Sequence, residues 1–273
     1  MDVEELRRAA FGDAPVLPPG VPGSPRAELL CAIVLGAQGR YAAAATLLRA
    51  LGRGPDPVLS SLALSTFASH RRQLGGHQAA FAFDGAALRL VAGVAGEPDP
   101  DGLDADGARA DALLGLAADN LGVGRLPVAR RLLARVRPCG WRSEVRLGWV
   151  TAEIELASGR AAEAVAPAEA ALALATTAGA LRHVTKSQLV LAAALGATGE
   201  RERALHLVVE ALGVSEEFAL RSLSWPAGLL AAEHGADVPA RDRSRVDAVL
   251  HAVLLRTDPD GRRLARDSPW VPA

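Results

Sequence analysis

From Ser24 onward, apolar residues recur at helical spacing in segments of roughly 12 to 16 residues. Short glycine-bearing turns such as Gln38-Gly39-Arg40 and Thr198-Gly199-Glu200 break the pattern, which therefore predicts successive helical hairpins. Ahead of them, Gly12 to Pro25 carries five prolines and three glycines, which cannot continue a helix. Residues 1–23 are expected to form a loose arm or a detached cap, with ordered structure beginning near Ser24.

The hairpins repeat. Taking Gly39, Gly75, Gly124, Gly159 and Gly199 as turn residues gives intervals of 36, 49, 35 and 40 residues, near the length of a two-helix unit in all but one case. The long interval holds an insertion, residues 96–107, whose acidic, Pro- and Gly-bearing composition predicts a solvated loop. Seven residues before the turn glycines stand Ala32, Ala68, Ala117, Ala152 and Ala192; five residues after them stand Ala44, Ala80, Ala129, Ala164 and Ala204. Helices that cross at close approach need a small side chain on each facing surface, which gives these columns a physical reason. Twelve residues after the glycine come Leu51, Ala87, Val136, Ala171 and Ala211, the expected inward face of the second helix. Pro167 falls inside one such second helix and predicts a kink there.

At these columns the chain resembles the tetratricopeptide repeat family, most clearly over Ala27 to Leu51, with Gly39-Arg40-Tyr41 and Ala44, and over Ser187 to Leu212, with Gly199, Ala204 and Ala211. The units around Gly159 and Gly199 are similar to those in the sensor regions of large actinobacterial transcriptional regulators. The resemblance covers about Pro25 to Gly213, and residues 215–255 are a candidate sixth pair around Gly235. It departs from the family where an aromatic is expected near the end of each first helix, since Leu35, Arg71, Asn120, Glu155 and Leu195 stand there, and each unit lacks its closing proline. The resemblance implies an all-α fold, a right-handed superhelix of about five to six antiparallel helix pairs. It would make residues 24–256 one helical repeat domain followed by a tail, residues 257–273. An irregular helical bundle is the alternative.

Composition agrees with a helical, folded chain: of 273 residues, 50% are apolar and 4% aromatic, Ala and Leu dominate, and isoleucine occurs only at Ile33 and Ile154. The net charge of −1 argues against sequence-independent nucleic-acid binding. Cys31 and Cys139, far apart, offer neither a disulfide framework nor a thiolate metal spacing. The charged start, Met1 to Arg8, does not resemble a secretory signal, and no apolar run reaches the ~18 residues of a membrane span. A soluble protein of a reducing cytoplasm is expected.

Candidate chemistry is thin. Asp99, Asp101, Asp104 and Asp106 lack the order of a calcium loop, and His70, His77, His183, His206, His234 and His251 are scattered. Cys31 falls at a core column and reads as an inert thiol, whereas Cys139, near Arg137 and Arg142, would have a lowered pKa if exposed. Gly122-Val123-Gly124-Arg125 is no phosphate loop. The sequence thus predicts no enzyme, no cofactor and no metal site. The run Arg125, Arg130, Arg131, Arg135, Arg137, Arg142 and Arg146 reads as a solvated face or as a landing site for an acidic partner segment.

The family resemblance implies that first helices line a concave surface, at fixed offsets before each turn glycine. Thirteen before lie Arg26, Leu62, Asp111, Arg146 and Lys186; ten before, Leu29, Ser65, Leu114, Trp149 and Leu189; six before, Ile33, Ser69, Ala118, Glu153 and Ala193. Arg72 and Gln73 join them near the end of the second unit's first helix, and Trp225 does so if the sixth pair exists. The candidate partner-binding residues are therefore Arg72, Gln73, Asp111, Arg146, Trp149, Glu153, Lys186 and Trp225. Trp149 reads either as an anchor or as a tryptophan packed between units. The preferred function is a non-catalytic adaptor that binds a peptide or helix of another protein in its groove; the alternative is a regulatory sensor that takes a small-molecule effector there. Ser268-Pro269-Trp270-Val271-Pro272 is a candidate cap, or a bridge to a neighbouring subunit in a homo-oligomer.

Overall fold

The computed structural model describes residues 1–235 and 240–272, the first five of the second stretch by their backbone alone. Its elements are α1 (Val3–Phe11), α2 (Pro25–Ala37), α3 (Tyr41–Leu51), α4 (Pro57–Gln73), α5 (His77–Leu90), α6 (Ala105–Gly122), α7 (Leu126–Leu133), α8 (Trp141–Ala157), α9 (Ala161–Thr177), α10 (Leu181–Thr198), α11 (Arg201–Glu217), α12 (Arg221–Glu233), α13 (Ala240–Leu255) and α14 (Pro259–Arg266). Among the described residues there is no strand, so the fold is all-α.

Local chemistry sets the helix ends. Ser24 accepts the Ala27 amide at 3.2 Å, and Asp56 accepts those of Val58 and Leu59, with Pro25 and Pro57 opening their helices where no amide partner is lost. Gly39, Gly75, Gly124, Gly159 and Gly199 all adopt left-handed backbone between φ +71° and +91°, so the five residues read from the sequence as turns are the turns. Gly235, after α12, does the same at +75°.

Successive helices from α1 to α13 pack on one another, and each even-numbered helix from α2 to α10 also touches the next even-numbered one. The even helices thus form a continuous inner layer with odd helices outside it. Both alanine columns lie in these crossings, and all ten side chains are 0% exposed, which leaves no room for a larger group. Pro167 does not interrupt α9, which runs from Ala161 to Thr177 around it.

The two ends of the inner layer meet. Ser222 Oγ at the start of α12 donates to the Ala37 carbonyl at the end of α2 (2.9 Å), and the Ala42 amide donates to the carbonyl of Arg256 (2.8 Å). Arg71 on α4 forks onto Asp258, the cap of α14, at 2.9 and 3.0 Å. Tyr41, Leu74, Leu250, Val253, Ala265 and Val271 fill the seam.

Three expectations change. The first helix is neither loose nor detached: Leu6, Ala9, Ala10 and Phe11 are buried against α2, and the Leu181 amide at the start of α10 donates to the Gly12 carbonyl (3.0 Å). The acidic insertion is solvated only in part: Gly96, Glu97, Pro98 and Pro100 are exposed, but Gly102, Leu103, Ala105 and Gly107 are buried. Asp99 takes Arg7 (2.8 Å) and Arg26 (2.7 Å), Asp101 takes Arg7 and the Trp141 indole, and Asp104 caps α6. Burial works against the ionised Asp99, but these arginines and two backbone amides outweigh it and hold its pKa far below the usual range. Residues 257–273 contain α14, and Ser268 and Val271 pack at Gly75 of the same chain.

Candidate functional site

The inner layer surrounds a chamber of about 500 Å³, walled by α2, α4, α6, α8, α10 and α12. The whole column six residues before the turn glycines lines it: Ile33, Ser69, Ala118, Glu153 and Ala193. Four of the five residues ten before do so, Leu29 being the exception. Arg26, thirteen before, instead holds Asp99.

Of the eight candidate residues, Arg72, Gln73, Arg146, Trp149, Glu153, Lys186 and Trp225 line the chamber. Asp111 does not; it is buried behind the wall, where it takes Arg142 at 2.8 Å and Arg146 at 2.6 Å. Arg72 lies between Asp84 and Asp119, the latter at 2.9 Å, and Gln73 accepts the Tyr41 hydroxyl. Lys186 pairs with Glu153 at 2.9 Å and lies over the Trp149 ring, 5.9 Å from its centroid. Trp149 packs between units, its indole N–H donating to Ser187 on α10 (2.8 Å), and its ring borders the chamber.

Several lining residues were not among the candidates. Arg182 sits at the second position of α10, as Arg142 does on α8, and both reach the chamber. Arg142 is fully engaged, donating from Nε to the Asp101 carbonyl (2.6 Å), from Nη1 to Asp111 and from Nη2 to the Gly102 carbonyl (3.0 Å). Arg182 finds no carboxylate among the described residues, and its buried Nε has no partner. Beside it His183, 1% exposed, stacks on Trp149 (5.6 Å, 18°) and meets Trp141 and Phe11 edge-on or tilted. Burial first, and then the nearby arginines, push the pKa of His183 well down and that of His70 down to about 3, so both imidazoles are neutral near pH 7. Burial and the charges of Arg146 and Arg142 lower Arg182 to about 10. Trp270, 62% exposed, stands at the chamber's edge, 6.5 Å from the His77 ring.

The arginine run divides rather than forming one face. Arg125, Arg131, Arg135 and Arg137 are exposed, Arg130 is bound by Glu155 and Ser158, and Arg142 and Arg146 turn inward. The exposed Cys139 thiol is not activated: partial burial and the charges of Asp104, Asp106 and Asp111 raise its pKa, against a lowering contact with Ser143. Cys31 is free and buried. Among the described residues, no group of three His, Cys, Asp or Glu side chains is arranged to hold a metal ion, and no helix is long and apolar enough to cross a membrane.

No protein-family model matches the sequence, and no curated protein matches it significantly.

Proposed function

We propose that this chain is a non-catalytic binding domain of the tetratricopeptide type, whose chamber holds a small-molecule effector in a regulatory, cytoplasmic setting. Six pairs, α2–α3 through α12–α13, make up the array. A superhelix rather than a flat ring is supported by the way its ends meet. The start of α12 lies against the end of α2, the offset of a stack that climbs as it turns, whereas a flat ring would bring start to start. The right-handed sense is carried from the family resemblance.

One observation favours an effector over a partner's peptide or helix: the hydrogen bond from Ser222 to Ala37 joins the two ends of the inner wall. An open groove admits a partner segment along its length. Joined ends leave a chamber of about 500 Å³, inside the ~300–1,000 Å³ range of small-ligand pockets. Binding without turnover is supported by the state of the titratable groups in and behind the wall. Glu153 is engaged by Lys186, Asp111 by two arginines, and a histidine with a pKa near 3, such as His70, is too weak a base for proton transfer at neutral pH. An effector touching α4, α8, α10 and α12 together would shift the α2–α12 seam and so change the surface a downstream partner meets.

A thermal-shift screen with small metabolites tests the reading. A ligand present at a hundredfold over its Kd stabilises by about 2.7 kcal/mol, several degrees for a domain of this size. Trp149→Ala is expected to abolish the shift. Recovery from lysate of one stoichiometric protein that Trp149→Ala loses, with no stabilising metabolite, would establish the adaptor instead.

A further inference from the structure

We infer that the chamber's effector is an anion: a small carboxylate- or phosphate-bearing molecule whose charged end is held by Arg182 and Arg146 and whose apolar body lies along Trp149. The inference rests on the chamber reading above and adds to it the charge and shape of the ligand.

The inventory of charge carries it. Arg72 has two carboxylates, Asp84 and Asp119, and Lys186 has Glu153. Among the described residues, the three guanidiniums of Arg142, Arg146 and Arg182 have one paired carboxylate, Asp111, which the first two hold. Arg142 has all three of its nitrogens bonded, two of them to backbone carbonyls. Arg146 commits only Nη1, at 2.6 Å, to an Asp111 that Arg142 already occupies. Among the described residues Arg182 has no acid to pair with; its Nη2 lies 3.5 Å from His183 Nε2, and its Nε is buried with no partner. The neutral His183 and His70 supply no counter-charge.

Guanidinium groups stay protonated in proteins, so this corner holds positive charge that the described residues do not balance. A half-buried charge without a partner is destabilising, and it is retained where something else completes it. The unused edges of Arg182 and Arg146 form planar forks, the geometry that carboxylate and phosphate oxygens meet in pairs. Trp149, Val150, Leu189 and Val190 continue the wall next to them, which suits an apolar or aromatic body behind the charged head. A cationic ligand would face three guanidiniums.

The test is a pair of dyes titrated into the full chain: 8-anilinonaphthalene-1-sulfonate, an aromatic body with an anionic head, and N-phenyl-1-naphthylamine, the same body without charge. The parent is expected to bind both saturably, at one per chain. Arg182→Met is expected to lose at least about tenfold in affinity for the sulfonate and less than about twofold for the neutral dye. Its melting temperature should stay at or above the parent's, because Arg182 gives up no ion pair; Arg142→Met, which loses three hydrogen bonds, should melt lower. Arg146→Gln is a second variant with the same expected selectivity. Competition by benzoate and by inorganic phosphate then tells a carboxylate head from a phosphate one, and displacement by neither overturns the head-group assignment. Saturable binding of neither dye by the folded parent overturns the chamber reading itself. Saturable binding of both, with the sulfonate affinity unmoved in Arg182→Met and Arg146→Gln, overturns the anion alone and leaves the chamber standing.

Discussion

Ser222 Oγ donates a 2.9 Å hydrogen bond to the backbone carbonyl of Ala37, which precedes it by 185 positions. In an open repeat array each unit touches only its neighbours, and the array can fray from either end. Here α2–α3 and α12–α13 are also neighbours, through Ser222 and through the Ala42 amide on the Arg256 carbonyl, while Arg71 on α4 holds Asp258 at the start of α14. The same contacts close one side of the chamber, so under the proposed reading stability and binding would be coupled at one seam.

Gly39 and Gly124 separate the seam from the turn. Both are left-handed, at φ +71° and +76°, but a Cβ on Gly39 would come within 2.7 Å of Val253 Cγ2, whereas one on Gly124 meets nothing. Gly124→Ala should lose only the conformational term, about 1–2 kcal/mol. Gly39→Ala should lose that and about 1–3 kcal/mol more from the displaced α13. Urea denaturation of the two variants measures the difference, and equal losses would mean that α13 does not hold Gly39.

The alanine columns predict sharp intolerance of size. Ala192 on α10 is 0% exposed at a helix crossing, so Ala192→Leu forces the helices apart and should cost about 1–3 kcal/mol or more. Ala170, exposed on α9, is the matched control, and Ala170→Leu should stay within about 0.5 kcal/mol of the parent. Similar losses at both sites would argue against close packing as the reason for the column.

Phe11 closes α1 onto the rest of the fold. Its ring is 5% exposed, meets Trp141 edge-on at 6.5 Å and lies 5.6 Å from the Arg142 guanidinium. Phe11→Ala should cost about 3–5 kcal/mol by thermal or chemical denaturation. A detached arm would lose nothing.

Much of this architecture was legible because it repeats. Turn glycines, alanine crossings and the inward column of Ile33, Ser69, Ala118, Glu153 and Ala193 each recur at a fixed offset, so one register finds them all. The same register extended one helical turn finds the missed cations, since Arg142 and Arg182 both stand seventeen residues before their turn glycine, Gly159 and Gly199. What does not repeat was hidden. The Ser222–Ala37 seam joins positions that share no offset, and Arg7 on α1 reaches Asp99 across 92 residues. The proline- and glycine-rich stretch read as the edge of order starts at Gly12, whose carbonyl accepts the Leu181 amide at the foot of α10, so α1 before it lies within the fold.

The pH dependence of stability tests the buried triad on α4, α5 and α6. Arg72 faces Asp84 and Asp119, both with side chains 0% exposed, and Asp84 Oδ1 and Asp119 Oδ2 have no partner. Burial, reinforced by Asp84 and opposed by Arg72, pushes Asp119 up to about 7; burial also raises Asp84. The folded chain therefore keeps a proton on the pair where the unfolded chain, with an aspartate pKa near ~3.9, has lost it. More protons bound in the folded state mean that this contribution is complete below about pH 4 and is lost as pH rises toward about 7. Asp119→Asn is neutral at every pH and removes that loss. It should match the parent within about 0.5 kcal/mol near pH 4.5 and exceed it by of order 1–3 kcal/mol at pH 8. His70 and His183, whose pKa values are lowered, tilt both curves the other way below about pH 6.5, so the diagnostic quantity is the difference between variant and parent in urea denaturation across that range. A constant difference would mean that both carboxylates are ionised around Arg72.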